Sequence, residues 1–187
     1  MAYASENVID RMVHGKFGKM CIFRVRNNKT FMYPYPNYRE VRWSALQKAN
    51  RKRFRDAMIW ARQTLEDAEK RKFYQKKAKN GQSVWNAAVA DYMKRPQIDL
   101  IDAGEYRGRK GQTIRVTAHD NYLITTIMIT IINALGIEVE SRLIPNTSDY
   151  VVIEYKTLEE NPDWQGGRVV VRITDSPGNV TNAFRVL

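Results

Sequence analysis

The residue types that catalyse reactions are sparse and poorly grouped in this sequence. The chain has two histidines, one of which, His119, directly precedes Asp120, and one cysteine, Cys21. A histidine beside a carboxylate can act as a general base, but no nucleophile stands at a defined spacing from this pair, so a turn is favoured. Glu138 and Glu140 share a face of a predicted strand without a second acid opposite them. No phosphate-loop, dinucleotide or zinc-protease motif is present, and the sequence predicts a protein that is not an enzyme.

Metal-binding residues are equally few. A single cysteine excludes an intrachain disulfide and a cysteine-based zinc site. Asp120, Asp175 and Asn179 offer the oxygen ligands that Ca²⁺ prefers. The run from Asp175 to Asn179 is more typical of a tight turn, with Pro177 at its second position and Gly178 at its third. We therefore expect no metal ion and no cofactor.

The strongest chemical signal is positive charge in the first half of the chain. Among 187 residues, 31 are Lys or Arg and 20 are Asp or Glu, a formal net charge of +11. Residues 1–96 hold 22 of these cations and 8 of the acids, a net charge of +14, whereas residues 97–187 have a net charge of −3. Such an asymmetry indicates two modules with different partners. Because proline disfavours helix at the residue before it, Pro96 is a plausible boundary, and the predicted domains are residues 1–96 and 97–187.

A stripe of cations lies on a predicted helix. At helical periodicity these residues fall within about 100° of arc, on the side away from the apolar residues. They can follow a phosphate backbone, where each neutralised phosphate releases counterions. The alternative interpretation is a solvated helix face. The stripe consists of Lys48, Arg51, Lys52, Arg55 and Arg62.

A second group of cations lies on a predicted β-hairpin over residues 17–33. Two alternating runs flank Asn27 and Asn28, which suit a two-residue turn. A cationic ribbon fits a groove of nucleic acid, but it could equally be an arm that pairs with the sheet of another subunit. The hairpin cations proposed to contact nucleic acid are Lys16, Lys19, Arg24 and Arg26.

Three helices are predicted after the hairpin. Ser44 and Gln47 match a capping box, which begins a helix that ends at about Asp67. A second helix covers about Ala68 to Ala78, and Ser83 begins a third that ends at about Lys94. The aromatic residues at helical spacing among alanines are expected in the core: Trp60, Phe73, Trp85 and Tyr92.

The second half of the chain changes to short runs rich in β-branched residues. Turn signals separate the runs, including His119–Asn121, and the spacing of about ten residues is typical of an immunoglobulin-like β-sandwich. The predicted fold class is therefore α+β: an N-terminal β-hairpin plus small helical bundle, followed by an immunoglobulin-like antiparallel β-sandwich. The predicted strands cover Thr113–Ala118, Thr125–Ile132, Ile137–Leu143, Tyr150–Tyr155, Arg168–Thr174 and Val180–Val186.

The order of motifs resembles a bacterial protein family that has a basic helical N-terminal half and an immunoglobulin-like C-terminal half. The resemblance rests on the hairpin motif Gly15–Gly18, the run Asn50–Phe54, the run Asp91–Met93 and the closing turn Asp175–Asn179. It covers nearly the whole chain and implies the same architecture. That family has no established activity, so the resemblance implies no site residues.

Two functions follow as hypotheses. The first is a non-enzymatic, largely sequence-independent nucleic-acid-binding protein, for DNA or RNA, with the sandwich as interaction module and a possible homo-oligomer. The second is a structural or assembly subunit of a larger cellular or virion complex, whose basic half binds acidic neighbouring subunits. A hydrolase built on the sandwich is the least favoured. The longest apolar stretch, residues 122–132, is shorter than the roughly 20 residues that span a bilayer. We therefore expect a cytoplasmic protein with no membrane partner.

Overall fold

The computed structural model of this protein describes residues 2–3, 14–26, 29–35, 42–79 and 81–187. The described chain is a mixed α+β structure with three helices and antiparallel sheets, as predicted. It divides into two compact units, residues 1–49 and residues 50–187. Each unit is described by itself. The predicted boundary between residues 96 and 97 falls inside the second unit, and as a boundary between domains it stays a prediction.

The first unit contains a small antiparallel sheet in the order β1-β4-β3-β2. The predicted hairpin is confirmed by β3 and β4, which place Arg26 opposite Lys29, although its turn residues 27–28 lie outside the described residues. A tight turn joins β2 to β3, with Gly18 at a φ of 56°. The strands are β1 (Ala2–Tyr3), β2 (Gly15–Phe17), β3 (Cys21–Arg26) and β4 (Lys29–Pro34).

The three predicted helices are present, and side-chain caps fix where they begin. The capping box is confirmed, because the N–H of Ser44 donates to Gln47 Oε1 at 2.9 Å and the N–H of Gln47 donates to Ser44 Oγ at 3.2 Å. Asp67 caps the second helix, and Ser83 Oγ caps the third by accepting from the Asn86 N–H at 3.1 Å. The helices are α1 (Ala45–Thr64), α2 (Ala68–Lys77) and α3 (Val84–Met93).

In the second unit the helices bury small and aromatic residues against each other and against Tyr122 of the neighbouring sheet. Ala57 and Ala61 of α1 are fully buried. The expected aromatic core is confirmed for Trp60, Phe73 and Tyr92, which pack on this cluster. It is wrong for Trp85, which is 36% exposed, because this residue lies roughly 100° around α3 from the centre of its buried face.

The second unit also contains a five-stranded antiparallel sheet. Its order is β5-β6-β8-β9, and β7 pairs with β6. The described strands form this one hydrogen-bonded sheet, so an immunoglobulin-like sandwich is not confirmed. The strands are β5 (Gln97–Asp102), β6 (Thr113–Ile132), β7 (Glu138–Lys156), β8 (Arg168–Asp175) and β9 (Val180–Val186).

The turn predicted at His119–Asn121 is wrong, because these residues lie inside the continuous strand β6. The pairing with β7 shifts register between His119 and Ile124, where the Asp120 carboxylate accepts the N–H groups of Tyr122 and Leu123. A side chain thus replaces part of the ladder without ending the strand. In the same way, the two runs predicted within residues 137–155 belong to the single strand β7.

An irregularity in β6 also changes which of its residues face the core. Buried positions are even-numbered as far as Ile124 and odd-numbered from Ile127 onward, on either side of a register shift between Ile124 and Thr126. One extra residue in a strand moves the following side chains to the other face. Both halves of β6 consequently contribute to one core cluster, together with β8. Among the described residues no helix is long and apolar enough to cross a membrane.

Candidate nucleic-acid interface and buried aspartate cluster

Three of the four predicted hairpin cations lie on one face of the small sheet. Side chains alternate along a strand, so Arg24 and Arg26 share a face of β3. Lys16 lies opposite Ile22, which belongs to the same face, whereas Lys19 lies in the turn between β2 and β3. All four side chains are exposed.

One of these arginines is held by a neighbouring ring. The guanidinium carbon of Arg24 lies 5.7 Å from the ring centroid of Tyr33. A cation over an aromatic face is stabilised by the ring quadrupole. The hairpin therefore presents a cationic face on ordered strands.

The predicted helix cations are exposed on α1. Within the second unit, Arg51, Arg55 and Arg62 fall within about 40° of arc, with Lys52 beside them. The fully buried Ala57 and Ala61 lie on the opposite side of the helix. In the described part of the chain, neither Lys52 nor Arg55 nor Arg62 forms an ion pair within 4.0 Å.

The remaining predicted cation, Lys48, is exposed on the part of α1 that belongs to the first unit. The basic face of the second unit also carries an apolar residue, Ile59, which is 53% exposed. Phe54, on the flank of that face, is 48% exposed. The surface is therefore cationic with apolar side chains among the charges.

The cations of α2 have partners of their own. Lys77 forms an ion pair with Asp149 of β7 and lowers the pKa of that carboxyl by its hydrogen bond. Lys72 pairs with Glu69 at 3.3 Å. These contacts fit the interpretation of this segment as a structural, solvated surface.

The sequence did not predict a cluster of three buried aspartates. Asp91 of α3, Asp120 of β6 and Asp175 at the end of β8 place carboxylate oxygens within 4.8 Å of one another. Their exposed fractions are 1%, 8% and 2%. Three carboxylates this close and this dry cannot all be charged without a compensating proton or cation.

Hydrogen bonds hold this aspartate cluster (Asp91, Asp120 and Asp175) from two other elements. The hydroxyl of Tyr74 in α2 donates to Asp91 Oδ2, while Asp91 Oδ1 is buried without a partner. The side-chain amide of Asn179 donates to Asp175 Oδ2 at 2.7 Å. The cluster therefore links the helices to the sheet through buried polar contacts.

Burial shifts the proton affinities in the aspartate cluster. It raises the pKa of Asp91 to about 7, although the Tyr74 hydroxyl opposes the rise. It raises the pKa of Asp175 to about 6 against the opposing hydrogen bond from Asn179. Burial and then the charge of Asp91 raise the pKa of Tyr74. At neutral pH the cluster is thus poised to hold a proton.

Two of these aspartates had a signal in the sequence. Asp175 and Asn179 do form the predicted turn, but the Gly178 N–H donates to the Asp175 carbonyl at 3.2 Å. This bond places Pro177 at the third position of the turn rather than the second. Asp91 had only a weak signal, a carboxylate in line with the buried Ala87 and Ala88 on one face of α3.

The residues weighed for catalysis have other contacts. His119 Nδ1 lies 2.8 Å from Asp99 Oδ2 rather than against Asp120. Glu140 Oε2 accepts the Tyr155 hydroxyl at 3.1 Å and the Leu158 N–H at 2.8 Å. Cys21 is a free, half-buried thiol. These contacts position loops and strands.

No protein-family model, curated protein or solved structure matches this chain.

Proposed function

We propose that this protein is a non-enzymatic nucleic-acid-binding protein that uses the cations of α1 and of the hairpin. The observation that carries the proposal is the exposed row of Arg51, Arg55 and Arg62, opposite the fully buried Ala57 and Ala61 of the same helix. The core contacts of α1 hold these charges on a rigid element. Phosphate neutralisation by such a row releases counterions and favours binding.

The binding is proposed to be largely independent of sequence. Contacts from Lys and Arg to phosphates set register and orientation but read no base edges. We assign the interaction-module role to the C-terminal sheet, as an immunoglobulin-like sandwich, because the net charge of residues 97–187 is −3 and disfavours phosphate. A cytoplasmic location is part of this proposal.

The alternative function is a subunit of a larger assembly whose acidic neighbours bind the same cations. The observation that favours it is the apolar surface near the charges, with Ile59 53% exposed on α1 and Met20 74% exposed beside the hairpin. Protein interfaces combine buried apolar contacts with charged rims. Strand β7 pairs only with β6 among the described strands, which leaves an edge for a neighbouring sheet.

The first test is fluorescence anisotropy of a labelled duplex and a labelled single strand over a salt series. We expect dissociation constants in the micromolar range and a log–log salt slope of about −4 or steeper, which corresponds to several phosphate contacts. The double variant Arg55→Glu/Arg62→Glu should weaken binding at least about tenfold, since it reverses two charges on the proposed contact face.

The matched control is Lys70→Glu/Lys76→Glu, which makes the same change of net charge on exposed residues of α2. It should weaken binding far less, because its charges lie outside the proposed face. No binding at the lowest salt, or an equal loss in both double variants, would overturn the proposal. A large species that survives nuclease and high salt would support the assembly function.

A further inference from the structure

A polar cleft of about 530 Å³ lies between two loops of the second unit. One loop, residues 103–112, joins β5 to β6, and the other, residues 157–167, joins β7 to β8. The cleft is separate from the proposed contact face on α1 in sequence and in composition. Its walls combine the cations Arg107, Arg109 and Lys110 with Asn161 and Trp164.

The aromatic wall of the cleft is built from stacked groups. The guanidinium carbon of Arg107 lies 5.3 Å from the Trp164 ring centroid. Hydrogen bonds from Arg107 Nη1 to the carbonyls of Gly104, at 2.9 Å, and Tyr106, at 2.7 Å, fix the guanidinium in place. Trp164 is half-buried. A planar heterocycle can stack on such indole and guanidinium surfaces.

The cleft also contains a buried amide without a partner. Asn161 is 1% exposed, yet neither its Oδ1 nor its Nδ2 has a hydrogen-bond partner. The nearby Tyr106 hydroxyl is likewise buried and unpaired. A carboxamide offers an acceptor and two donors, the pattern that reads the edge of a nucleobase. Leaving it unpaired destabilises the folded state, so its presence in the cleft wall points to a ligand.

The loop that carries the cations is fixed before any ligand arrives. Gln112 Oε1 accepts the N–H groups of Arg107, at 2.7 Å, and Arg109, at 2.9 Å. The buried Thr157 donates its hydroxyl to the Arg109 carbonyl at 2.9 Å. A fixed loop reduces the ordering entropy that binding must overcome.

Two cations remain available at the rim. Arg109 and Lys110 are exposed, and the structure shows no ion pair for either among the residues it describes. Glu160 is the acid that joins them in the cleft wall, so the net charge of the cleft is positive. Arginine and lysine at such a position suit a phosphate group.

We propose that this cleft binds a nucleotide. The base stacks against Trp164 and Arg107 and bonds with the Asn161 amide, and the phosphate is held by Arg109 and Lys110. The nucleotide has two possible sources, a free nucleoside monophosphate or one unit of a single strand. The proposal does not depend on the cations of α1, so it stands or falls separately from the function proposed above.

The test is isothermal titration of the full chain with each of the four ribonucleoside monophosphates, with inorganic phosphate and with a short single-stranded oligonucleotide. At least one nucleotide should bind about tenfold more tightly than phosphate, because stacking adds to the ionic contact. Arg109→Ala should weaken nucleotide binding about tenfold, the usual effect of losing a charged hydrogen bond. Arg185→Ala, the same charge change at an exposed residue of β9, should leave it unchanged.

Asn161→Leu separates a ligand contact from a structural role. It should remove the preference among the four bases while leaving the unfolding temperature equal or higher, because the unpaired amide is replaced by an apolar side chain of similar size. A structural amide would instead show a lower unfolding temperature and unchanged binding.

Two further comparisons decide the source and the independence of the site. An oligonucleotide that binds at least about tenfold more tightly than the monophosphates, and is weakened by Arg109→Ala, identifies a single strand as the source; otherwise the source is the free nucleotide. Arg55→Glu/Arg62→Glu should leave monophosphate binding intact. Binding no tighter than that of phosphate, or equal loss in Arg109→Ala and Arg185→Ala, would overturn the proposal.

Discussion

Asp91 is a carboxylate placed where apolar residues normally lie. It shares the buried face of α3 with Ala87 and Ala88 and meets the other acids of the aspartate cluster within 4.8 Å. Removal of a carboxylate from water disfavours its charged form, which explains why the pKa rises to about 7. The Tyr74 hydroxyl supplies one hydrogen bond, and a proton on the cluster would relieve the remaining repulsion.

This residue predicts an unusual pH dependence of stability. In the unfolded chain the Asp91 pKa returns to about 3.8, so between pH 4 and 7 the folded state holds a proton that the unfolded state releases. The contribution of Asp91 to the free energy of unfolding is therefore largest below about pH 4 and is lost as the pH rises through 7. One unit of pKa shift corresponds to about 1.4 kcal/mol. Urea unfolding at pH 5 and pH 8 measures the difference.

The informative comparison is with Asp91→Asn, whose amide oxygen can still accept from Tyr74. We expect this variant to be more stable than the wild type at pH 8 and to lose part of the gain seen at pH 5, because it carries no ionisable group. Asp163→Asn, at an exposed position, is the control and should follow the wild type. A wild type and Asp91→Asn with the same pH dependence would contradict the assignment.

At the scale of elements, loops 103–112 and 157–167 approach so closely that one position admits only glycine. Gly108 has a φ of +76°, and a Cβ there would lie 2.0 Å from the Asn161 carbonyl oxygen and 2.7 Å from Trp164 Cδ1. The Asn161 N–H in turn donates to the Gly108 carbonyl at 2.8 Å. Backbone atoms on both sides leave little room for relaxation.

We therefore expect Gly108→Ala to destabilise the chain by more than about 2 kcal/mol, the range of substitutions that combine backbone strain with a steric clash. Gly178→Ala is the matched control, because Gly178 also has a positive φ, +88°, but open space around its Cα. It should cost only about 1 kcal/mol. Thermal unfolding of both variants measures the difference, and equal losses would show that the close approach of the loops does not matter.

Several elements followed directly from short-range patterns. The capping box at Ser44 and Gln47 and the cap at Ser83 involve residues three positions apart, so sequence reasoning located the starts of α1 and α3. The strand β9 occupies the predicted residues Val180–Val186, because its flanking turn signal is local. The continuity of β6 through His119–Asn121 depends on pairing with β7, about thirty residues away, and was missed.

At the scale of the whole molecule, the helices and the five-stranded sheet share their contacts. Tyr122 of β6 belongs to the helical core, and the aspartate cluster joins α3 to β6 and β8. Asn179 donates its side-chain amide to the carbonyl of Tyr92, at 3.2 Å, and to that of Lys94, at 2.9 Å. The predicted division at residues 96 and 97 would cut all of these contacts.

A fragment of residues 97–187 tests that division. We expect it to unfold at a temperature well below that of the full chain, because it exposes Tyr122 and leaves Asp120 and Asp175 without the α3 contact. Circular dichroism melting of the two chains measures the effect. A fragment that melts cooperatively at the temperature of the full chain would instead establish residues 97–187 as an independent domain.

Sequence alone determined the charge asymmetry, the three helices and the exposed cations at Arg55 and Arg62, because composition, caps and helical periodicity are properties of neighbouring residues. Only the tertiary structure decided that Asp91 meets Asp120 and Asp175, that Trp85 is exposed, and that Asn161 lies unpaired between two loops. These features depend on contacts between residues dozens of positions apart, and no local pattern encodes which distant side chain will close a buried polar group.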